Sequence, residues 1–574
     1  AERNTHPHTA GGYALVHNGV VDNADSLRRH LVDECGAVLD SETDTELIVH
    51  LLAQQSCSEP LAQRVANAMK HVRGANAVAV ISSADPHCVA LWRRGSPLAI
   101  GFSSDAQHPH FVSQSLTEHS LVCCKCDESA VEGCFTFASD LSTLEPFAQR
   151  AVLLGEDDIA ILCAKCGSCK VYYTGSQPSA NVTAFHRDLR TSSTGSSECT
   201  DAAIPSIHAD RNDGLCMWRE IQEQPAALRR ALAGRLNSEY EEVHLGGLSE
   251  YWHQIATAQR LVMIACGTSY YAALAARSLF EQGCGKPVLV ERATPLLDRQ
   301  VPIFRGDACF FLSQSGETAD VLAALAHCRA AGALCIGVVN AVASSIARAT
   351  DCGVYLKCGP EIAVASTKAF TAQISVLALI AAHLMPRLQR QTVLASLARA
   401  PTLVSQALHL SDAWAQHWAR EWRDKQRCLI LARGADEATA YEAALKIKEL
   451  CYVLAEGCHA GELKHGPLAL VDADLPVIAI QSENDSVVAQ RMRTAVEQVR
   501  ARHGNPIVVS NSAQKSALGL AKDRRQLILP AIGDDRLQCI VNIVPLQMLA
   551  FYWAKERALN VDRPRNLAKS VTVQ

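Results

Sequence analysis

Three features are missing from this sequence, and each absence excludes a class of function. There is no long basic run: 54 Lys and Arg stand against 59 Asp and Glu, a net charge of −5. Phosphodiester backbones need a clustered cationic footprint, so nucleic acid is not an expected partner. There is no apolar stretch of membrane-spanning length. The longest, Ile374 to Met385, is interrupted by Ser375 and His383 and reads as a buried helix, so no membrane association is expected. Finally, no charged-then-apolar segment opens the chain, so no secretory signal is visible.

What remains is the balance of an ordinary soluble globular protein, 48% hydrophobic and 20% charged. At 574 residues the chain exceeds one core, and roughly three or four domains are expected. Ala at position 1, rather than Met, reads as a processed, cut or fragmentary chain. Cysteine is abundant, 23 in all, odd in number and scattered. Secreted disulfide scaffolds are short and regularly spaced, so a reducing cytoplasmic location fits better. Cys123/Cys126 and Cys163/Cys166 have the CxxC spacing of tetrahedral zinc sites, with Cys134 and Cys169 nearby. A cysteine-rich composition explains the same pairs without metal.

Residues 1–175 alternate short strand-like runs, such as Tyr13 to His17, with helical patterns such as Thr45 to Gln54. Residues 176–213 are rich in Ser, Thr, Asp and Ala and read as a linker. A helical connector is expected over 214–250, with periodicity from Trp218 to Arg235. Two strand–turn–helix series follow, over 251–391 and 419–564, separated by a connector at 392–418 and closed by a tail at 565–574. Apolar strands alternating with helices imply parallel sheets covered on both faces, and the recurrence reads as two copies of one α/β domain.

Hydroxyl clusters sit where such sheets bind ligands. Cys266-Gly-Thr-Ser269 follows one strand, Ser313-Gln-Ser-Gly-Glu-Thr318 follows another, and Val364-Ala-Ser-Thr-Lys368 precedes a helical run. Helix N–H groups with Ser and Thr hydroxyls can hold a phosphate dianion without Lys or Arg. Each cluster alone is equally an ordinary helix cap. Farther on, Glu442, Lys446 and Glu449 share one helical face, a pattern more often solvated. Gly461-Glu-Leu-Lys-His-Gly-Pro467 and Pro564-Arg-Asn-Leu-Ala-Lys-Ser-Val-Thr572 complete the unusual segments.

Together these motifs resemble the glutamine–fructose-6-phosphate aminotransferase (glucosamine-6-phosphate synthase) family, and the resemblance covers essentially the whole chain. It implies an α/β fold: two tandem sugar-isomerase (SIS) doubly wound parallel-sheet domains, preceded by an incomplete N-terminal-nucleophile type α+β glutamine amidotransferase domain. It implies fructose 6-phosphate as substrate and glutamine as nitrogen source in a complete chain. By resemblance, Thr268, Ser269, Ser313, Gln314, Ser315 and Thr318 hold the sugar phosphate, while Val364, Ser366 and Ala568 line the sugar. Glu449 moves a proton between C1 and C2, and His465 opens the ring from a neighbouring subunit, implying a homodimer. Lys569 forms a Schiff base, with Arg565 and Lys446 beside it. Those cations are expected to favour the neutral amine of Lys569. No organic cofactor or metal is then needed, because the lysine supplies the imine.

In the amidotransferase portion, Asn18 and Gly19 resemble oxyanion donors, Asp44 the acid that binds the glutamine α-amine, and His6 part of the adjoining glutamine-binding stretch. The family's nucleophile is an N-terminal cysteine whose own α-amine is the base. The first cysteine here is Cys35, an internal residue that cannot use that mechanism. As given, the chain is not expected to hydrolyse glutamine. A cut N-terminus is the preferred explanation; an ammonia-dependent or isomerase-only enzyme is the alternative. A non-catalytic SIS sugar-phosphate sensor is disfavoured, since Glu449, His465 and Lys569 are all present.

Overall fold

The computed structural model describes residues 4–96, 98–102, 112–115, 135–139, 144, 148, 150–165, 168–173, 187–188, 215–236, 242–342, 344–482, 486–511 and 524–571. They fall into two compact units, 1–204 with 571–574, and 205–570. Most of the expected linker, and Cys123, Cys126, Cys134 and Cys166, lie outside the described residues.

The first unit is built mainly on antiparallel pairing, with one parallel pair between Ser168–Tyr173 and Val112–Ser115. Tyr13–Gly19 buries Tyr13, Leu15 and His17 on one side, the period of two that a half-buried strand requires. It lies between His8–Ala10 and Asn76–Ser82 in a seven-stranded sheet that continues through Cys88–Arg94, Ile159–Cys163, Ser168–Tyr173 and Val112–Ser115. One face packs on the helices Asp44–Ala53 and Leu61–Met69, through Leu47, Ile48, Val65 and Met69. The other packs Ala77, Leu91 and Leu162 against Ile100, Phe102 and Val152 of a second, four-stranded sheet.

The second unit holds two parallel five-stranded sheets of identical order. The first runs Val288–Arg292, Arg260–Ala265, Asp307–Ser313, Leu334–Val339, Cys352–Tyr355. The second runs Leu454–His459, Arg427–Ala432, Pro476–Gln481, Asn505–Ser510, Gln526–Ile528. The inner strands are continuously buried, because helices cover both faces. The 392–418 segment is the interior of one 35-residue helix, Arg387–Glu421, which packs on the apolar helix Cys539–Glu556. The expectation of no apolar stretch of membrane-spanning length is corrected: among the described residues, the helical stretch Asp535–Glu556 is long and apolar enough to cross a bilayer, and 94% of its apolar window is buried in this core.

The expected connector helix is two helices, Cys216–Gln222 and Gln224–Leu232. Pro225 explains the break: it has no N–H to give, so it belongs in a first turn. The N-terminus of the first helix is capped from far along the chain. Asp562 accepts the N–H groups of Cys216 and Met217 at 3.0 and 2.8 Å, while its own carbonyl accepts Val364 N–H at 3.0 Å. One residue thus ties the connector, the Val364 loop and the segment leading into the C-terminal tail together.

Removing that carboxylate in Asp562→Ala is expected to cost about 1 kcal/mol, the usual worth of a helix cap. The measurement is the urea midpoint of the variant; an unchanged midpoint would show that the cap contributes nothing.

Candidate active site

The hydroxyl clusters are not spent on capping. The helices Gly267–Cys284, Ala319–Ala330 and Lys368–Leu384 start without any side-chain cap hydrogen bond. In the loop after Asp307–Ser313 the hydroxyls instead shape the turn. Gly316 N–H donates to Ser313 Oγ at 2.9 Å, Glu317 N–H to Ser315 Oγ at 3.2 Å, and Ser313 and Thr318 share a hydrogen bond of 3.0 Å. Gly316 has φ +69°, and a Cβ there would sit 2.0 Å from Ser344 Oγ, so only glycine fits. Ser269 receives a hydrogen bond from Gln373 Nε2 at 2.8 Å. The result is a cluster of neutral donors at strand ends, suited to a phosphate dianion.

The C-terminal tail enters this loop. Ser570 Oγ donates to Ser315 Oγ at 3.2 Å. The preceding Lys569 reaches Glu361, with Nζ 2.9 Å from Oε2. That carboxylate also accepts Ser366 Oγ at 2.8 Å and the backbone N–H groups of Thr367 and Ala369 at 2.8 and 3.2 Å. Burial alone would push Glu361 up; Lys569 first, and then these hydrogen bonds, hold it down at about 2. Behind it lies a second buried carboxyl, Glu220, which accepts Ile362 N–H and Ala363 N–H and leaves its other oxygen buried without a partner. Burial, then the charge of Glu361, raises Glu220 to about 8. Two carboxyls so close disfavour each other's charge, so one is ionised and the other holds its proton.

The Glu442–Lys446–Glu449 face is not solvated. Glu442 and Lys446 are 0% and 1% exposed, because the helix Asp436–Cys451 packs against the helix Gly267–Cys284 of the other α/β copy. Lys446 lies 2.7 Å from Glu449 and 3.4 Å from Glu442, and donates to Thr268 Oγ1 at 3.0 Å; that hydroxyl donates on to Glu442 at 3.1 Å. Burial opposes the charge of Lys446, but Glu442 and Glu449 outweigh it and raise its pKa. Burial raises Glu442 to about 8 against the pull of Lys446. Because Thr268 adjoins Ser269, this polar chain runs from one domain's carboxylates into the other's hydroxyl cluster.

Not every expected residue joins. Arg565 is exposed, its guanidinium 4.3 Å over the ring of Tyr452, whose hydroxyl accepts the Arg565 N–H at 2.8 Å. The expectation of Arg565 beside Lys569 is therefore corrected: the ion-pair partner of Lys569 is the carboxylate of Glu361. The tail turns at Asn566, with φ +64°, which separates Arg565 from Lys569. Ala568 is exposed, next to Lys569, and Val364 and Gln314 are half-buried in their loops. His465 ends the short helix Glu462–His465 and is exposed in a cleft lined by none of the sugar-site residues. Cys163 and Cys169 are buried, and no metal-ligating group of three occurs among the described residues.

In the first unit, Asp44 Oδ2 accepts Val21 N–H at 2.8 Å, just beyond Asn18 and Gly19 at the end of their strand. Thr45 Oγ1 lies 3.1 Å from His6 Nε2 and 3.0 Å from His17 Nδ1, and His17 Nε2 lies 2.8 Å from Asn76 Oδ1. Burial first lowers the pKa of both His6 and His17. The four glutamine-site candidates thus share one corner of this unit.

Sequence reasoning missed Glu361, Glu220, Gln373 and His17. Only Glu361 carried a signal, as a lone acid three residues before the Val364 cluster.

Comparison with known proteins places these features in context. Residues 254–383 and 421–555 match the SIS domain family, and residues 2–113 the glutamine amidotransferase domain family. The chain is 36% identical to glutamine–fructose-6-phosphate aminotransferase (isomerizing) 1 of Rattus norvegicus, over 604 residues spanning 100% of this chain and 85% of the relative. The chain belongs to the glutamine–fructose-6-phosphate aminotransferase family. The aminotransferase of Chlorobaculum tepidum is 34% identical over 584 residues, 100% of this chain and 87% of its own length. The solved C-terminal domain of glucosamine-fructose-6-phosphate aminotransferase from Francisella tularensis superposes with TM-score 0.57 at 32% identity, covering 61% of this chain and 98% of that one. As in this family of enzymes, the glutamine amidotransferase domain precedes two α/β SIS domains.

The paired carboxyls give opposite pH signatures. Glu361, depressed to about 2, contributes stability above the ordinary carboxylate range that is lost as pH falls toward 2. Glu220, raised to about 8, contributes stability below that range that is lost as pH rises through 8. Glu220→Gln keeps the accepting oxygen, so it is expected to gain on the order of 2 kcal/mol over wild type between pH 5 and pH 8. Denaturant unfolding at both values checks this; an equal difference at each would contradict the assignment.

Proposed function

We propose that this enzyme converts fructose 6-phosphate and glutamine-derived ammonia into glucosamine 6-phosphate, with the isomerisation carried by Lys569, Glu449 and His465. The observation that carries the reading is the tail. It sets Lys569 beside the Glu361–Ser366 loop while its neighbour Ser570 bonds to Ser315 of the hydroxyl cluster. An amine next to a phosphate cradle is the arrangement that an open-chain ketose phosphate requires.

The substrate's phosphate is held by Ser269, Ser313, Gln314, Ser315 and Thr318, and its carbons lie along Val364, Ser366 and Ala568. His465 of the partner subunit opens the ring, a role that accords with its exposure away from its own chain's sugar site. The Lys569 amine condenses with the C2 carbonyl and water leaves. Ammonia then displaces the lysine, giving an imine at C2. Removal of a proton from C1 and its return at C2, by Glu449, yields an aldehyde at C1 and an amine at C2. The balance is ketose phosphate plus ammonia to amino-aldose phosphate plus water.

Lys446, clamped between Glu442 and Glu449, positions the latter carboxylate. Attack by Lys569 needs a neutral amine, so its pair with Glu361 must part when substrate binds. His6, Asn18, Gly19 and Asp44 bind glutamine in the amidotransferase domain. A homodimer follows from the role given to His465. A reducing cytosol suits a chain in which Cys309, Cys328 and Cys335 are buried free thiols.

Two measurements test this. Borohydride added during turnover is expected to trap a sugar-phosphate adduct on Lys569, found by peptide mass. Lys569→Ala is expected to lower product formation by at least about a thousandfold with ammonium as nitrogen source. Turnover persisting in that variant, with no adduct in wild type, would refute the imine.

A further inference from the structure

The first SIS domain holds one buried amide whose hydrogen bonding is only half complete. Gln373 lies in the second turn of the helix Lys368–Leu384, between Ala372 and Ile374, and is 0% exposed. Every residue from Lys368 to Ala382 is buried, where the helix packs against Gly267–Cys284, Gln224–Leu232 and Arg387–Glu421. The neighbouring polar side chains find partners inside this core. Thr371 Oγ1 donates to Gln224 Oε1 at 3.2 Å, Gln224 Nε2 to Gln547 Oε1 at 2.9 Å, and Ser375 Oγ to Thr371 O at 2.8 Å. Gln373 differs. Its Nε2 donates to Ser269 Oγ at 2.8 Å, but its Oε1 is buried with no hydrogen-bond partner among the described residues. A buried carbonyl oxygen without a partner destabilises a fold. An apolar side chain of similar length would avoid that cost, so stability does not account for a glutamine here.

The hydrogen bond to Ser269 does. A hydroxyl oxygen that receives an amide N–H cannot return its own hydrogen to the same nitrogen. The Ser269 hydrogen must therefore point away from Gln373. Ser269 is half-buried in the first turn of Gly267–Cys284, just beyond the carboxyl end of the strand Arg260–Ala265. At such a place a free hydroxyl hydrogen meets an anion bound at the helix start. A serine left to rotate could present a lone pair to a phosphate as readily as a hydrogen. Gln373 removes that choice.

We propose that Gln373 is a positioning residue for the sugar phosphate: by giving an amide hydrogen to Ser269 Oγ, it fixes Ser269 as a donor to the dianion. This rests on the reading of Ser269 as part of the phosphate cradle. Gln373, wholly buried, does not itself touch the substrate. Its effect falls on affinity and not on the proton transfer given to Glu449.

The test is a double-mutant cycle, read by calorimetric titration of the full chain with fructose 6-phosphate while nitrogen donors are withheld. Gln373→Met keeps the length and removes the donor. It is expected to weaken binding about tenfold, within the worth of a hydrogen bond to a charged group. Ser269→Ala is expected to weaken it at least as much, and the double variant no more than Ser269→Ala alone. With ammonium as nitrogen source the loss is expected in KM, with kcat changed by less than about twofold. The urea midpoint of Gln373→Met is expected to equal or exceed that of wild type, since the unpartnered oxygen is gone. Gln373→Glu, which accepts where glutamine donates, turns the Ser269 hydrogen inward and is expected to bind more weakly than Gln373→Met. Wild-type affinity in Gln373→Met, or binding by Gln373→Glu as tight as by Gln373→Met, would overturn the proposal. So would an additive loss in the double variant. A loss accompanied by a lower midpoint and a lower kcat would also overturn it, by marking a structural role. The underlying reading fails separately: if Ser269→Ala binds fructose 6-phosphate as wild type does, Ser269 is no part of the cradle, whatever Gln373 does.

Discussion

The sugar pocket is organised around one buried charge. Glu361 is 3% exposed, and an ionised carboxylate so far from water must be compensated or give up its charge. Its compensation is complete: an ammonium, a hydroxyl and two backbone N–H groups. The ammonium comes from the last few residues of the chain and the N–H groups from the start of the helix Lys368–Leu384. Satisfying Glu361 therefore pins the C-terminal tail to the Glu361–Ser366 loop. Glu220, buried beside the charge of Glu361, keeps its proton and braces the same loop through Ile362 and Ala363.

The same logic joins the two SIS domains. Lys446 is buried between two carboxylates of its own helix, and Thr268 of the first domain completes the hydrogen-bond chain. A buried lysine and two acids would be costly if isolated, but here each one's charge is another's partner. Glu449, paired with Lys446, is the more accessible acid of the two, with 21% of its side chain exposed, and is the one proposed to face the substrate. The fold thus hides the charges that position the chemistry and exposes those assigned to it.

Much of this was legible in the sequence because the signals are local. Strand, glycine-containing turn and helix follow one another at Ala265–Gly267 and Ser313–Thr318, and the repeated series announced two α/β copies. The amidotransferase motifs likewise lie within short stretches. What was hidden depends on packing between distant segments. Glu442 and Lys446 read as a solvated face because nothing within one helix shows that another helix covers it. Lys569 and Glu361 are 208 residues apart, so the sign of the charge beside the lysine could not be read from the tail. The split of the connector at Pro225 was local, yet the periodicity across it masked the break.

In the proposed reaction Lys569 is parked on Glu361 and leaves it for the substrate carbonyl. A crystal structure of the enzyme with fructose 6-phosphate, with ammonia and glutamine withheld, tests this most directly. The expected result is the phosphate against Ser313, Ser315 and Thr318 and the Lys569 nitrogen on C2, its bond to Glu361 broken. A sugar bound with the Lys569–Glu361 pair intact and the amine turned away from C2 would contradict it.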